Sequence, residues 1–148
     1  MYLRRTNKND IATMRRILTM IMLAAAVMAC GSTKKIKTLS EGTKWNLVWL
    51  ADYDDSISDT ERPHFTIGDG ATTFHGRASC NLINGQLSIG KGVIGFSDGA
   101  MTKMLCRDMR LEDLYVETLL RVNIYKFSGD TLVLYEGSNA VMKFIEGE

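Results

Sequence analysis

The side chains best equipped for chemistry in this 148-residue chain are its three cysteines, and their settings differ. Cys30 follows a basic pair, Arg15-Arg16, an almost wholly apolar run from Ile17 to Val27, and then Met28-Ala29. That order suits a lipid-modifying export signal. The charges stay on the cytoplasmic side, the short apolar run enters the export machinery, and the small Ala29 admits cleavage before a cysteine whose thiol takes a lipid. Ile17 to Ala29 spans 13 residues, short of the roughly 18 that a membrane-crossing helix needs. Residues 1–29 are therefore read as a signal peptide and Cys30 as the lipidated first residue of the mature chain. Met28 is large for its place and Met1 to Thr13 is a long polar lead, so a start at Met1 or at Met14 stays open.

Cys80 and Cys106 are then the only possible pair, in a compartment that permits disulfides. Paired, they would close a loop worth about 3 to 4 kcal/mol by chain entropy. Unpaired, both would serve as small buried hydrophobes. The two readings stand side by side. As a nucleophile either thiol would need a histidine close in space, and no serine sits in a G-x-S-x-G elbow. No catalytic residue is expected.

Other constellations read as structural. His64 and His75 are the only histidines and lack the close spacing of a zinc site. The acids Asp52, Asp54, Asp55, Asp59 and Glu61 lack the alternating ligands, sixth-position glycine and distal glutamate of an EF-hand, so they read as a solvated loop. Gly90-Lys91-Gly92-Val93-Ile94-Gly95 spells the dinucleotide fingerprint. That chemistry requires a helix N-terminus after the glycines, whereas Val93 to Phe96 is β-prone, so turns or bulges are expected there. Neither metal nor cofactor is expected.

Removing 29 of 148 residues leaves 119, enough for one domain with one modest core. This part carries 13 basic and 16 acidic side chains, which disfavours a nucleic-acid partner. Residues 30–42, with Lys34, Lys35 and Lys37 among small polar residues, read as a flexible tether, and residues 43–148 as the domain.

Within the domain, Trp45 to Leu50 forms a strand-like run and Asp52 to Arg62 a loop ending at Pro63. His64 to Ile67 and Thr73 to Ala78 are β-prone and joined by Gly68-Asp69-Gly70, a hairpin signal; Asn84-Gly85 predicts a further tight turn before Leu87 to Ile89 and Val93 to Phe96. Helical periodicity places Leu111, Leu114, Tyr115, Thr118, Leu119 and Val122 on one face from about Met109 to Val122. Asp108 can cap that helix. Strands follow at Ile124 to Phe127, Thr131 to Tyr135 and Val141 to Ile145, with turns at Ser128-Gly129-Asp130 and Gly137-Ser138-Asn139. Leu132 and Leu134 alternate with Val133 and Tyr135, so both faces are fairly apolar, as where a curved sheet encloses a helix. The expected class is α+β, an antiparallel sheet curled as a partial barrel around a single α-helix.

The order Trp45-x-Leu47, Phe74-x-Gly76, Cys80-Asn81, Gly85, Thr102-x-Met104-x-Cys106-x-Asp108, a helix with Glu112, and Gly129-Asp130-x-Leu132-x-Leu134 resembles the META domain, the family of the heat-shock lipoprotein HslJ. The resemblance implies a sheet curled around one helix and an envelope protein linked to stress tolerance. It carries over no catalytic residues and leaves Trp45, Asn81, Gly85, Thr102, Met104 and Asp108 as structural motif positions. The expected function is a non-enzymatic, lipid-anchored envelope protein that supports stress tolerance or binds an unknown envelope partner. The rival is a small inhibitor of a lysozyme or protease acting through the loop at 52–62. Gly31 after the acylated cysteine favours the outer membrane, and basic Lys34-Lys35 favours its periplasmic face.

Overall fold

The computed structural model describes residues 37–105, 107 and 109–147. The signal peptide, Cys30, Cys106 and Asp108 lie outside the described residues. From residue 37 onward the chain forms one compact unit. Eight strands and one α-helix follow in order: β1 (Lys44–Leu50), β2 (His64–Ile67), β3 (Thr73–Arg77), β4 (Leu82–Ile89), β5 (Ile94–Ser97), α1 (Met109–Arg121), β6 (Ile124–Ser128), β7 (Thr131–Glu136) and β8 (Asn139–Glu146).

All neighbours are antiparallel, in the order β5-β4-β3-β2-β1-β8-β7-β6. Two meanders thus meet where the last strand pairs with the first. The outer strands approach each other through Ile94 N–H donating to the Asn123 carbonyl at 3.2 Å and Tyr125 N–H donating to the Gly92 carbonyl at 3.1 Å. The sheet is nearly closed into a barrel, which limits exposed strand edges. With one α-helix among the described residues this is the α+β partial barrel expected from the sequence.

Alternation decides which residues face the concave side. Trp45 and Leu47 of β1, Phe65 and Ile67 of β2, Phe74 of β3, and Leu132 and Leu134 of β7 are all buried. In β1 the register shifts between Leu47 and Trp49 against β8, so Val48 and Trp49 both point out and Leu50 returns to the core. Phe65 stands at the centre, edge-on to Phe96 and Phe144 with ring centroids 5.1 Å away in each case. The helix lays Leu111, Tyr115 and Leu119 against this core, Tyr115 meeting Phe144 at 6.5 Å.

Two glycines let the strands pack this tightly. A Cβ at Gly76 would lie 2.1 Å from the His64 carbonyl oxygen, and one at Gly85 would lie 2.3 Å from the Ser97 carbonyl oxygen and 2.7 Å from the Phe74 ring. Gly85 therefore corrects the sequence reading. Asn84-Gly85 is no turn but the middle of β4, paired with His75 and Phe74. The turn between β3 and β4 comes earlier, where Ala78 N–H donates to the Asn81 carbonyl at 2.9 Å. The expected turns at Gly129 and Gly137 are present, both glycines at φ 60°.

Lys37 to Gly42, read from the sequence as the end of a tether, lies against the domain. Lys37 Nζ pairs with Asp130 and Glu146, each at 3.1 Å, Leu39 packs on the core, and Gly42 N–H donates to the Ile67 carbonyl at 2.8 Å.

Candidate functional site

Asn81 is buried at the end of the β3–β4 turn and uses every hydrogen-bonding position of its side chain. Its Oδ1 accepts from Thr102 Oγ1 and from Met104 N–H, both at 2.8 Å. Its Nδ2 donates to the Met104 carbonyl at 3.0 Å and to Glu112 Oε1 at 2.6 Å. Its backbone N–H donates to Glu112 Oε2 at 3.0 Å, and Leu82 N–H donates to Thr102 Oγ1 at 3.0 Å. Four motif positions thus converge into one clasp joining the β3–β4 turn, the strand-like segment after β5 and the first turn of α1.

An aspartate at 81 would lose both side-chain donors and repel Glu112, so the amide is required. Both Glu112 oxygens accept, at a helix N-terminal turn whose dipole favours an acid. With its donors and acceptors turned upon one another, the clasp is built to hold segments together. Cys80, directly before Asn81, is disulfide-bonded.

Beside the clasp, residues 97–103 run along the start of β4. Ala100 accepts from Asn84 N–H at 3.0 Å, and Ile83 bridges Met101. Gly99 makes this possible, since a Cβ there would lie 1.9 Å from the Asn84 carbonyl oxygen. Between this segment and α1 lies a cleft of about 460 Å³. Phe74, Ile83 and Leu119 line it from the core, with Asp98, Lys103 and Met101 near solvent. Exposed Met104 and Leu105 follow, Leu105 being 95% exposed. No spacing rule points to this cleft, because its walls come from β3, β4, the segment that follows β5, and α1. The visible signal is the methionine-rich run Met101 to Met109, whose flexible thioethers suit adaptable surfaces.

The other sequence candidates are dispersed. Trp45 is core, tilted against Phe127 at 5.8 Å. His64 and His75 point outward on adjacent strands, and among the described residues no three His, Cys, Asp or Glu side chains gather as a metal site would require. The acidic loop is held down. Tyr53 is buried, Ile57 packs on the core, and Arg110 reaches the Asp52 carbonyl at 2.9 Å and Asp55 at 3.3 Å. Gly90 to Val93 close a hairpin with Gly92 at φ 77°, and β5, not a helix, follows. No helix among the described residues is long and apolar enough to cross a membrane.

Comparison with curated proteins and with solved structures finds no match. The family model of the META domain matches residues 37–148, the same span that folds as the barrel with its clasp. The chain belongs to the META domain family.

Proposed function

We propose that this protein is a lipid-anchored component of the bacterial cell envelope that acts by binding a partner, not by catalysis, and contributes to envelope stress tolerance. The observation that carries this reading is the clasp: the polar groups of the family motif are engaged with one another, while the adjoining cleft and its methionine-rich rim face solvent. The ordering of basic pair, apolar run, Ala29 and Cys30 supports the anchor, Gly31 supports the outer membrane, and the basic Lys34-Lys35 supports its periplasmic face. The disulfide partner of Cys80 is assigned to Cys106, since the clasp holds Met104, two positions away, against Asn81.

The test is crosslinking in intact cells followed by affinity capture of the protein and of its Cys30→Ala variant. One envelope protein captured with the lipidated form, and lost with Leu105→Asp, is the expected result. Lipid labelling that persists in Cys30→Ala would overturn the anchor, and external protease that cuts the domain in intact cells would overturn the periplasmic orientation. The inhibitor reading is tested separately: Tyr53 and Ile57 tie its acidic loop to the core, and inhibition of a lysozyme or protease by the purified protein would revive it.

A further inference from the structure

On the convex face of β1, β2 and β3 lies a polar basin that neither the clasp nor the cleft involves. Since Trp45, Phe65 and Gly76 face inward, their neighbours face out. The register sets Asn46 opposite His64 and His64 opposite Arg77, with Lys44, Thr66 and His75 forming the next row. The loop before β2 adds Asp59, Thr60 and Arg62, and the basin holds about 430 Å³.

The charges do not cancel. Arg62 is committed, its Nη1 donating to the Leu47 carbonyl at 3.0 Å and its Nη2 pairing with Asp59. Lys44 and Arg77 also line the basin, and among the described residues neither meets a carboxylate within ion-pairing distance. His64, on the strand between theirs, has Nδ1 3.3 Å from the Arg62 carbonyl oxygen. The Nδ1–H tautomer satisfies that carbonyl, so Nε2 is the nitrogen that takes up a proton on ionisation.

We propose that this basin binds a phosphate-type oxyanion, with Lys44 and Arg77 supplying the charge and Asn46, Thr60 and His64 supplying hydrogen bonds. Every lining residue is polar, so an apolar ligand would find no wall to bury against. A tetrahedral oxyanion presents acceptors in several directions and suits a guanidinium, an ammonium and neutral donors drawn from three strands and a loop. A free phosphate and the phosphate of a lipid headgroup offer this same chemistry.

A pH signature follows. Partial burial lowers the His64 pKa, the Arg62 carbonyl works in the opposite direction, and the charges of Lys44, Arg77 and His75 lower it further. Asp59 and Arg62 also border the site, but as an ion pair. A bound oxyanion opposes the effect of the surrounding cations, so binding is coupled to proton uptake at His64. Affinity therefore rises as pH falls.

The test is titration of the full-length protein, in a non-ionic detergent at low salt, with inorganic phosphate while the His64 and His75 ring signals are followed by NMR. A saturable shift is expected. Lys44→Gln and Arg77→Gln should each weaken binding by about tenfold or more, Lys44→Arg should keep it, and Lys91→Gln on the β4–β5 turn should leave it unchanged. Inorganic sulfate, whose charge is constant over this range, should bind more tightly at about pH 5.5 than at about pH 7.5, with the gain lost in His64→Gln. Vesicles of phosphatidylcholine, with or without about one-fifth phosphatidylglycerol, identify the source. Arg77-dependent sedimentation with the anionic vesicles assigns a lipid headgroup, and phosphate saturation without it assigns a free phosphate. A shift that never saturates, or one that survives in both Lys44→Gln and Arg77→Gln, overturns the proposal.

Discussion

Asn81 and Glu112, 31 residues apart, meet through two hydrogen bonds, one from the backbone N–H and one from the side-chain amide of Asn81 to the two carboxylate oxygens. Both residues are buried. A buried acid without donors is costly, and here the same asparagine also holds Thr102 and Met104. Asn81→Ala should lower the unfolding free energy by about 3 to 5 kcal/mol. Glu112→Gln, which keeps the shape but turns an N–H toward one of the two donors, should cost about 1.5 to 3 kcal/mol. Urea denaturation reads both values. A cost below that of an ordinary surface substitution at either position would show that the clasp contributes nothing.

Close backbone approach at Gly76 makes a second prediction. A methyl group there would meet the His64 carbonyl at 2.1 Å and Phe65 Cα at 2.8 Å, and neither is the end of a flexible side chain. Gly76→Ala should cost about 3 kcal/mol or more, or prevent folding. Gly129 is the matched control, with φ 60° and open space around it, so Gly129→Ala should cost only about 1 to 2 kcal/mol of backbone strain. Thermal denaturation of the two variants gives the order; equal costs would remove the steric argument.

Why some of this was legible from the residue order and some was not can be seen at particular residues. The helix stripe Leu111, Tyr115 and Leu119 repeats at helical spacing and is buried as that spacing predicts. Leu132, Val133 and Leu134 are all buried in β7, as apolar residues on both faces of the strand predict. The Asn84-Gly85 reading failed because the dipeptide has local turn chemistry, whereas Gly85 answers to Ser97 and Phe74 on neighbouring strands. The clasp joins positions 21 to 31 residues apart, a distance at which no periodic signal survives, so its members were visible only through the family resemblance. Lys44, His64 and Arg77 come together only through strand register, which the sequence read alone leaves open.

Cys80 is disulfide-bonded, and its assignment to Cys106 predicts that non-reduced protein yields one crosslinked peptide carrying both. Reduction should destabilise the domain by about 3 to 4 kcal/mol, the chain entropy released by opening a loop of this length. Cys106→Ser should match the reduced wild type and should not respond further to reductant. Mass spectrometry of unreduced, alkylated protein decides the connectivity, and a Cys30–Cys80 peptide would overturn the assignment.

Tyr115 presents the opposite case to Asn81. It is fully buried in the helix–sheet contact, and its hydroxyl finds no hydrogen-bond partner among the described residues. Tyr115→Phe removes an unsatisfied oxygen while keeping the ring against Phe144, so at neutral pH it should be neutral or stabilising by up to about 1 kcal/mol. Burial also pushes the phenol far above its ordinary pKa. In the unfolded chain the same group ionises near about pH 10. Above that pH the unfolded state sheds a proton that the folded state keeps, so stability falls as pH rises. The wild-type deficit relative to Tyr115→Phe should therefore grow by about 1.4 kcal/mol per pH unit above that point. Urea denaturation of both proteins between about pH 7 and 11 measures this difference, and parallel pH profiles would mean that the phenol ionises in place without unfolding the domain.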